Sequence, residues 1–416
     1  MEARTLNNVS AMPAPTWHWL HMNDATVEVP EGLDAASDFA IDVAEGTAGA
    51  FDAAMAAAQE AWDAEHEGYE YQRNYTDEQA EKLGGTSLSA YQQGVDEVEA
   101  SKDLARMFDM GMRGDATAFL REVAGTARVI EAKRGEHASA SVRIAGLDGH
   151  ANVAALDIVA AADSELDVCI TVDSPTPGTG LTGSTIRVFA GDNAKVTITR
   201  VQTLDDSWID LDDMGLFLGN QADVQINQTV LGAGKTYTGL AGDLRGTAAN
   251  ANVVTRYLGH GDQKIDFNYT LRHHGRKTTC DLYANGVLAG TSTKTLRGTI
   301  DLIRGAKGAE GKETDNVLLV DEGVHNKTVP TILCNEDDVM GNHGATIGHI
   351  RKEQMFYMAS RGLSQKQAEA MFVSASLEDA YIEAPNDATR EAVVRLGNKL
   401  VDGFGELVED KEEELA

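Results

Sequence analysis

The spacing of apolar residues changes twice along the chain and divides it into three stretches. Over residues 1–125 apolar side chains recur at three- and four-residue steps, the spacing that lines one face of a helix. Phe39, Ile41, Phe51, Met55 and Trp62 anchor an alanine-rich run over 36–64. Leu104, Met107, Phe108, Met112, Phe119 and Leu120 continue it over 103–123. An N-terminal helical region is therefore predicted, with the polar, tyrosine-rich stretch 67–91 as a loop.

From about 126 to 348 the period falls to two, β-branched residues become common, and Gly or Asn-Asp punctuation returns regularly. Four windows align, opening on Gly191, Gly219, Gly246 and Gly275, with starts 28, 27 and 29 residues apart. A turn followed by a short alternating strand at that period predicts a solenoid whose coils bury a shared core. A sandwich of irregular hairpins competes, with turn signals every ~8–12 residues. Minor Gly and Asn marks do fall between the main ones, but they also suit a coil of two or three strands. The β-helix is the preferred reading.

Beyond 349 helical spacing returns. Met355, Phe356 and Tyr357 lie in 352–360, and Ser364 with Gln367 forms a capping-box start leading into Ala368, Met371, Phe372 and Tyr381. Pro385 breaks the chain, and Asp387 opens a last helix through Val393, Val394, Leu396, Leu400, Val401, Phe404 and Leu407. The tail 409–416 reads as a solvated acidic end.

The 416 residues suggest two or three structural units, and 42% hydrophobic content supports a sizeable core. Thirty-five Lys and Arg against 66 Asp and Glu leave a net charge of −31. Such a surface repels phosphate backbones and anionic lipid, so nucleic acid and membranes are poor partners. No segment approaches the roughly 20 apolar residues of a membrane span, and residues 1–4 lack a signal-peptide pattern. Cys169, Cys280 and Cys334 are too far apart for a disulfide framework or a metal knuckle. A cytoplasmic protein is expected. The dispersed acidity and scarce lysine fit a halophile's cytosol, where concentrated salt cuts the screening length to ~3 Å; multi-molar KCl is then expected to raise the melting temperature.

Most motifs fail on context. Gly178, Gly180 and Gly183 match a dinucleotide fingerprint, but an alternating strand follows where a helix is needed. Two P-loop-like stretches end at Lys235-Thr236 and Lys312-Glu313; they lack the leading glycine, with Thr229 and Ala306 in its place. No nucleotide is expected on this chain. His273 and His274 are adjacent, so on a strand they face opposite ways and cannot chelate jointly. Cys169, between Val168 and Ile170, reads as a small buried hydrophobe. The densest polar cluster, 336–349, holds Glu336, Asp337, Asp338, His343, Thr346 and His349. Those groups can ligate iron or zinc or move protons; an acidic turn capping the next helix accounts for them equally well.

That cluster and its surroundings carry a resemblance. The run 317–320, then Val329-Pro330, Asp337-Asp338-Val339, His343-Gly344-Ala345-Thr346, and Phe356-Tyr357 followed by Ser360-Arg361-Gly362, come in one order. The chain resembles the SufB/SufD family, scaffold subunits of the Suf iron–sulfur cluster assembly system. The likeness is dense over 285–385, looser through the solenoid and faint over the first hundred residues. It implies a mainly β fold: a right-handed parallel β-helix (126–348) flanked by N-terminal (1–125) and C-terminal (349–416) helical domains.

The resemblance also implies a non-catalytic subunit that pairs with a SufB-type partner and binds the ABC-type ATPase SufC. The SufB type carries an essential cysteine a few residues before the strand that here is 317–320. Thr314-Asp315-Asn316 stands there instead, and the later His-Gly-Ala-Thr is typical of SufD, so the chain reads as SufD-like. His343 is then the candidate ligand for a transient iron–sulfur cluster, or for iron, at the subunit interface. Many relatives have a cysteine two residues earlier, where this chain has Gly341; Cys334 is a weaker stand-in. The helices expected to dock SufC carry Met355, Phe356, Tyr357, Met371 and Phe372, whose other use is packing against the end of the β-helix. The flanking domains would also cap an open coil against edge-to-edge association. Two rivals stand beside this reading. One is a self-sufficient SufB-like homodimer; the other is a β-helical carbohydrate-active enzyme with Asp210, Asp212 and Asp213 supplying an acid–base pair.

Overall fold

Alternating strands place successive side chains on opposite faces, and a coil that repeats its length can stack equivalent strands in register. The computed structural model, which describes residues 1–14, 22–65 and 103–415, is built on that principle. The N-terminal part holds β1 (Arg4–Val9), β2 (Ala25–Val29), β3 (Asp34–Ala36) and β4 (Phe39–Ile41), then α1 (Ala50–Glu65), α2 (Leu104–Met107) and α3 (Gly114–Ala124). The coil begins with β5 (Arg128–Ala132). One sheet takes β6 (His137–Ala145), β8 (Glu165–Asp173), β10 (Lys195–Thr203), β12 (Asp223–Val230), β14 (Asn250–Gly259), β16 (Thr279–Leu288), β18 (Ala309–Leu319) and β20 (Val339–His349). The facing sheet takes β7 (His150–Ala160), β9 (Gly180–Ala190), β11 (Trp208–Leu218), β13 (Lys235–Leu244), β15 (Lys264–His273), β17 (Thr293–Leu302) and β19 (His325–Cys334). The molecule is thus a parallel β-helix with two strands per coil.

The four aligned windows are successive turns of one sheet. Val196 pairs with Val224, Val224 with Ala251 and Ala251 with Cys280, reproducing the sequence offsets. A hairpin sandwich is ruled out because the strands from β5 to β20 pair in parallel. The turns explain the punctuation. The third residues of the windows, Asn193, Gln221, Ala248 and Lys277, take φ of 58°, 54°, 58° and 56°. Each donates its amide to the next turn, as in Asn193 N to Asn220 O (2.8 Å) and Gln221 N to Thr247 O (2.8 Å). These bonds offset the cost of left-handed backbone at non-glycine residues. The leading glycine answers a different need, close approach: a Cβ on Gly275 would lie 2.0 Å from the Gly246 carbonyl oxygen.

The interior between the sheets is apolar along most of its length, with Val196, Ile198, Ile226, Val253 and Leu282 facing Leu216, Leu240, Phe267 and Ile300. Each such side chain contributes about 1.5–3 kcal/mol on burial.

The N-terminal region differs from the helical expectation. Phe39 and Ile41 lie in β4, antiparallel to β6 at the edge of its sheet, and β1 and β2 form an antiparallel ribbon. Leu6, Val9, Val27 and Val29 bury one face of that ribbon beside Phe119 and Leu120 of α3. These strands are too short for period two to stand out against the helical anchors that follow. The stretch predicted as a loop, 67–91, lies outside the described residues.

The C-terminal part comprises α4 (Lys352–Ser360), α5 (Gln365–Ile382), α6 (Asp387–Leu400) and α7 (Phe404–Leu415). The Ser364 capping box forms, with Gln367 N donating to Ser364 Oγ (3.3 Å) and Ser364 N to Gln367 Oε1 (2.9 Å). Leu377, Tyr381, Val393, Leu396, Phe404 and Val408 pack on Val201, Leu231 and Leu258, outer-face residues of the middle coils. Thr171 and Thr389 hydroxyls meet at 2.7 Å, and Arg395 pairs with Asp173. The expected packing on the end of the coil is therefore corrected: α5 to α7 lie along its flank. Strands β19 and β20 each pair on one side only, leaving the far end of the coil uncovered by any further strand among the described residues.

Candidate functional site

The far end is built by β20 stacking on β18. Residues 309, 311, 313, 315, 317 and 319 of β18 point inward and are buried; their neighbours are exposed or half-buried. The register sets Gly341 on Gly311, His343 on Glu313 and Ala345 on Asp315. His343 therefore projects from the inward face of the last coil, and it is exposed because no coil follows. Cys334 pairs with buried Leu302, which puts it on the inward face of the opposite sheet in the same coil, exposed, with its thiol donating to Glu336 O (3.3 Å). Gly341 is exposed on the same face, and a Cβ added there would lie 3.1 Å from the Ile332 side chain.

The acidic cluster divides by role. Glu336 Oε2 accepts from Gly305 N (2.8 Å) and Oε1 from Asp337 N (3.0 Å). The Gly305 amide foremost holds the Glu336 carboxyl below its usual range. Glu336 thus caps a turn of the coil, while the helix start is capped by Gln354, whose Oε1 accepts from Arg351 N (3.0 Å).

Below His343 lies a polar group that the sequence analysis did not assemble. Lys294 pairs with Asp315 Oδ2, Thr328 Oγ1 donates to the same oxygen (2.6 Å), and Tyr257 OH approaches Oδ1 (3.5 Å). Lys294 also lies over the Tyr257 ring at 5.4 Å. Burial lowers the Lys294 ammonium and Asp315 opposes it. Glu313 is 2% exposed, and neither carboxylate oxygen has a hydrogen-bond donor within the protein. Burial first, then the Asp315 charge, push its carboxyl up to about 7. It borders a cavity of about 10 Å³ lined by Tyr269, Leu282, Leu296 and Gly298. The readable signal was alternation: Glu313 and Asp315 hold inward positions of a strand, where charge is costly unless used or paired.

The raised Glu313 carboxyl gives a testable sign. Its folded pKa stands above the unfolded value, so its cost begins as pH rises past about 4.5 and is complete above about 7, on the order of 3 kcal/mol. Glu313→Gln is expected to stabilise the fold by about 1–3 kcal/mol at pH 8 and to change little at pH 4. Paired thermal melts check this, and an equal effect at both values would contradict it.

A second polar group lies deeper. Arg200 Nη2 pairs with Asp210 (2.7 Å) and its Nε approaches Asp212 (3.4 Å), with all three side chains at most 1% exposed. Thr182 Oγ1 (2.9 Å), Gln228 Nε2 (3.0 Å) and Ser184 Oγ donate to the same two carboxylates. Asp213 faces outward but is covered, accepting from Met112 N (2.7 Å) and Thr117 Oγ1 (2.6 Å). The acid–base pair considered for a carbohydrate-active enzyme is corrected accordingly: these carboxylates are sealed from any substrate and serve the fold.

The remaining candidates find structural places. His273 is buried, with Nδ1 2.7 Å from Thr278 Oγ1 and Nε2 3.2 Å from Cys280 Sγ; burial, then His274, push it down to about 4. His274 pairs separately with Asp243 (2.6 Å). Burial pushes the Cys280 thiol up to about 12. Cys169 is buried as expected, beneath α6, where Asn386 Nδ2 lies 3.3 Å away. The fingerprint glycines run into strand β9. Among the described residues, His137, Glu165 and Asp167 form the group whose metal-ligating atoms cluster within 4.8 Å, on the outer face near the other end, exposed or half-exposed. Phe356, Tyr357 and Met371 are exposed by 77%, 58% and 52%, while Met355 and Phe372 are half-buried. Among the described residues no helix is long and apolar enough to cross a membrane.

Comparison with known proteins adds an independent observation. Residues 142–376 match the family model described as SUF system FeS cluster assembly, SufBD core domain. The chain is 24% identical over 208 residues to the iron–sulfur cluster assembly protein SufD of Bacillus subtilis, covering 50% of this chain and 48% of that one. It is 26% identical over 233 residues to a SufBD family protein of Synechocystis, covering 53% and 48%. A SufBD family protein of Mycobacterium tuberculosis is 29% identical over 148 residues, covering 36% and 18%. The chain therefore spans about half, or less, of the curated relatives it matches.

Proposed function

We propose, from the premise that this chain belongs to the SufB/SufD family of iron–sulfur cluster assembly proteins, that it is a SufD-like scaffold subunit holding one side of the place where a nascent cluster forms. The observation that carries the reading is the open last coil, whose strands each keep one free edge and present His343 from the inward face. A neutral imidazole is a good ligand for iron, and two sheets with free edges suit the addition of another β-structured subunit. The cluster is cargo, made at the interface and passed on. Its partners are a SufB-type subunit, joined through the last coil, and a SufC-type ATPase, which the exposed Phe356, Tyr357 and Met371 on α4 and α5 suit with half-buried Met355 and Phe372 beside them. The subunit performs no catalysis itself and works in the cytoplasm. Cys334, on the same coil, is the secondary ligand.

His343→Ala is expected to leave the complex assembled while iron and acid-labile sulfide recovered with it fall several-fold; Cys334→Ser is expected to cost less. The assay is anaerobic co-purification with the chain as bait, followed by metal and sulfide analysis. Unchanged iron and sulfide in the His343 variant would reject the role. Recovery of the chain alone, loaded with iron and sulfide, would instead favour the self-sufficient homodimer.

A further inference from the structure

The observation that function has not absorbed is Glu313. A carboxylate 2% exposed and without a donor on either oxygen is an unusual feature of a folded interior. Its surroundings do not neutralise it, because Lys294 is already matched to Asp315, which also accepts from Thr328. One carboxyl without a partner is left over, one coil below an open end. In the ladder Glu313 is the direct neighbour of His343, on the same inward face; adjacent strands run ~4.8 Å apart, so both side chains can reach one point. At rest the carboxylate lies across the interior against Gly298, where an added Cβ would come within 2.3 Å of Oε1.

We propose that Glu313 and His343 together form a divalent-cation site at the open end of the coil, with Glu313 supplying a carboxylate that rests against Gly298 until the ion arrives. A carboxylate beside an imidazole is a donor pair that suits ferrous iron and its first-row neighbours. The unpartnered carboxyl sets the sign of the ligand: when its proton is displaced it offers oxygens that attract a cation and repel an anion. The inference rests on the scaffold reading, since it makes the site an iron-accepting one, but its test is independent of partners.

The full-length chain is titrated anaerobically with Co²⁺ alone, whose visible bands report the ligands of a site that ferrous iron would occupy. The parent is expected to bind one ion, and Glu313→Gln and His343→Ala each to weaken binding by about tenfold or more. The double variant is expected to lose little beyond either single one, because both serve one site. Should the glutamine variant fold poorly, Glu313→Asp replaces it, keeping the charge but retracting it by one methylene. A Glu313 variant binding Co²⁺ as the parent does overturns the inference, as does a parent that binds no Co²⁺. Neither result touches the scaffold reading, which stands or falls on iron and sulfide in the purified complex.

Discussion

Replacing Arg200 by methionine is expected to lower the melting temperature by on the order of 10 °C, the largest loss from a single change in the coil. The guanidinium sits between Asp210 and Asp212 with 1% of its side chain exposed, and both carboxylates are fully buried. Methionine fills much of the volume but removes the positive charge, leaving two acids with only neutral donors from Thr182, Ser184 and Gln228. Breaking a buried pair by removing one partner costs about 3–5 kcal/mol. Two controls separate charge from packing. Adding Asp210→Asn and Asp212→Asn to Arg200→Met should recover most of the loss, since a buried ionic group replaced whole is often near neutral. Burial already raises the Asp210 carboxyl, so without Arg200 it is readily protonated and the deficit should shrink towards pH 4. An Arg200→Met protein that melts with the parent would show that the ion pairs contribute nothing.

The second large effect is expected at Gly239, where two backbones touch. The segment before α3 crosses the outer face of β11, β13 and β15. Gly111 N donates to Met214 O (3.2 Å), Asn268 Nδ2 donates to Gly111 O (2.8 Å), and Met112 N donates to Asp213. A Cβ on Gly239 would lie 2.2 Å from Met112 N, and one on Gly111 would lie 1.9 Å from Leu240 N. Both obstacles are main chain, so no rotamer change relieves them. Gly239→Ala should therefore cost about 3 kcal/mol, the upper end of overpacking, and lift the crossing segment. Asp213 would then lose the Met112 amide that opposes the burial pushing its carboxyl up to about 7. Hydrogen exchange should quicken over 109–124 while the distant coils keep their protection. Unchanged exchange there would mean that the crossing yields more easily than its distances imply.

How much of this was legible in the sequence depends on where each partner lies. The coil was readable because its determinants are local and repeated: the leading glycines, the left-handed third positions and the inward Val196, Val224, Ala251 and Cys280 recur at the repeat spacing. The proposed site was half readable. His343 stands in a recognisable run of residues, but its neighbour Glu313 is 30 positions away and becomes a neighbour only through the ladder. Arg200, Asp210 and Asp212 show the same limit. The acids drew attention as isolated acids, and only the facing of two sheets reveals the arginine between them. The short strands β1 and β4 were hidden among stronger helical anchors. That α5 to α7 lie along the flank depends on contacts such as Thr171 to Thr389, 218 residues apart, for which periodicity offers no sign.

The stacking register also permits an order of assembly that follows synthesis. Partners in the ladders from β5 to β20 lie between 26 and 32 residues apart, so a coil leaving the ribosome needs only the coil before it as a template. The nascent β-helix can lengthen by accretion, and at each moment its newest strands form the exposed edge. Until β20 emerges that edge is β18, with Glu313 uncovered; His343 arrives in the final increment. The helices that follow then return to coils completed long before and fasten there through Thr389 and Arg395. The end that carries His343 is thus finished last, and the chain seals its own middle only after that end exists.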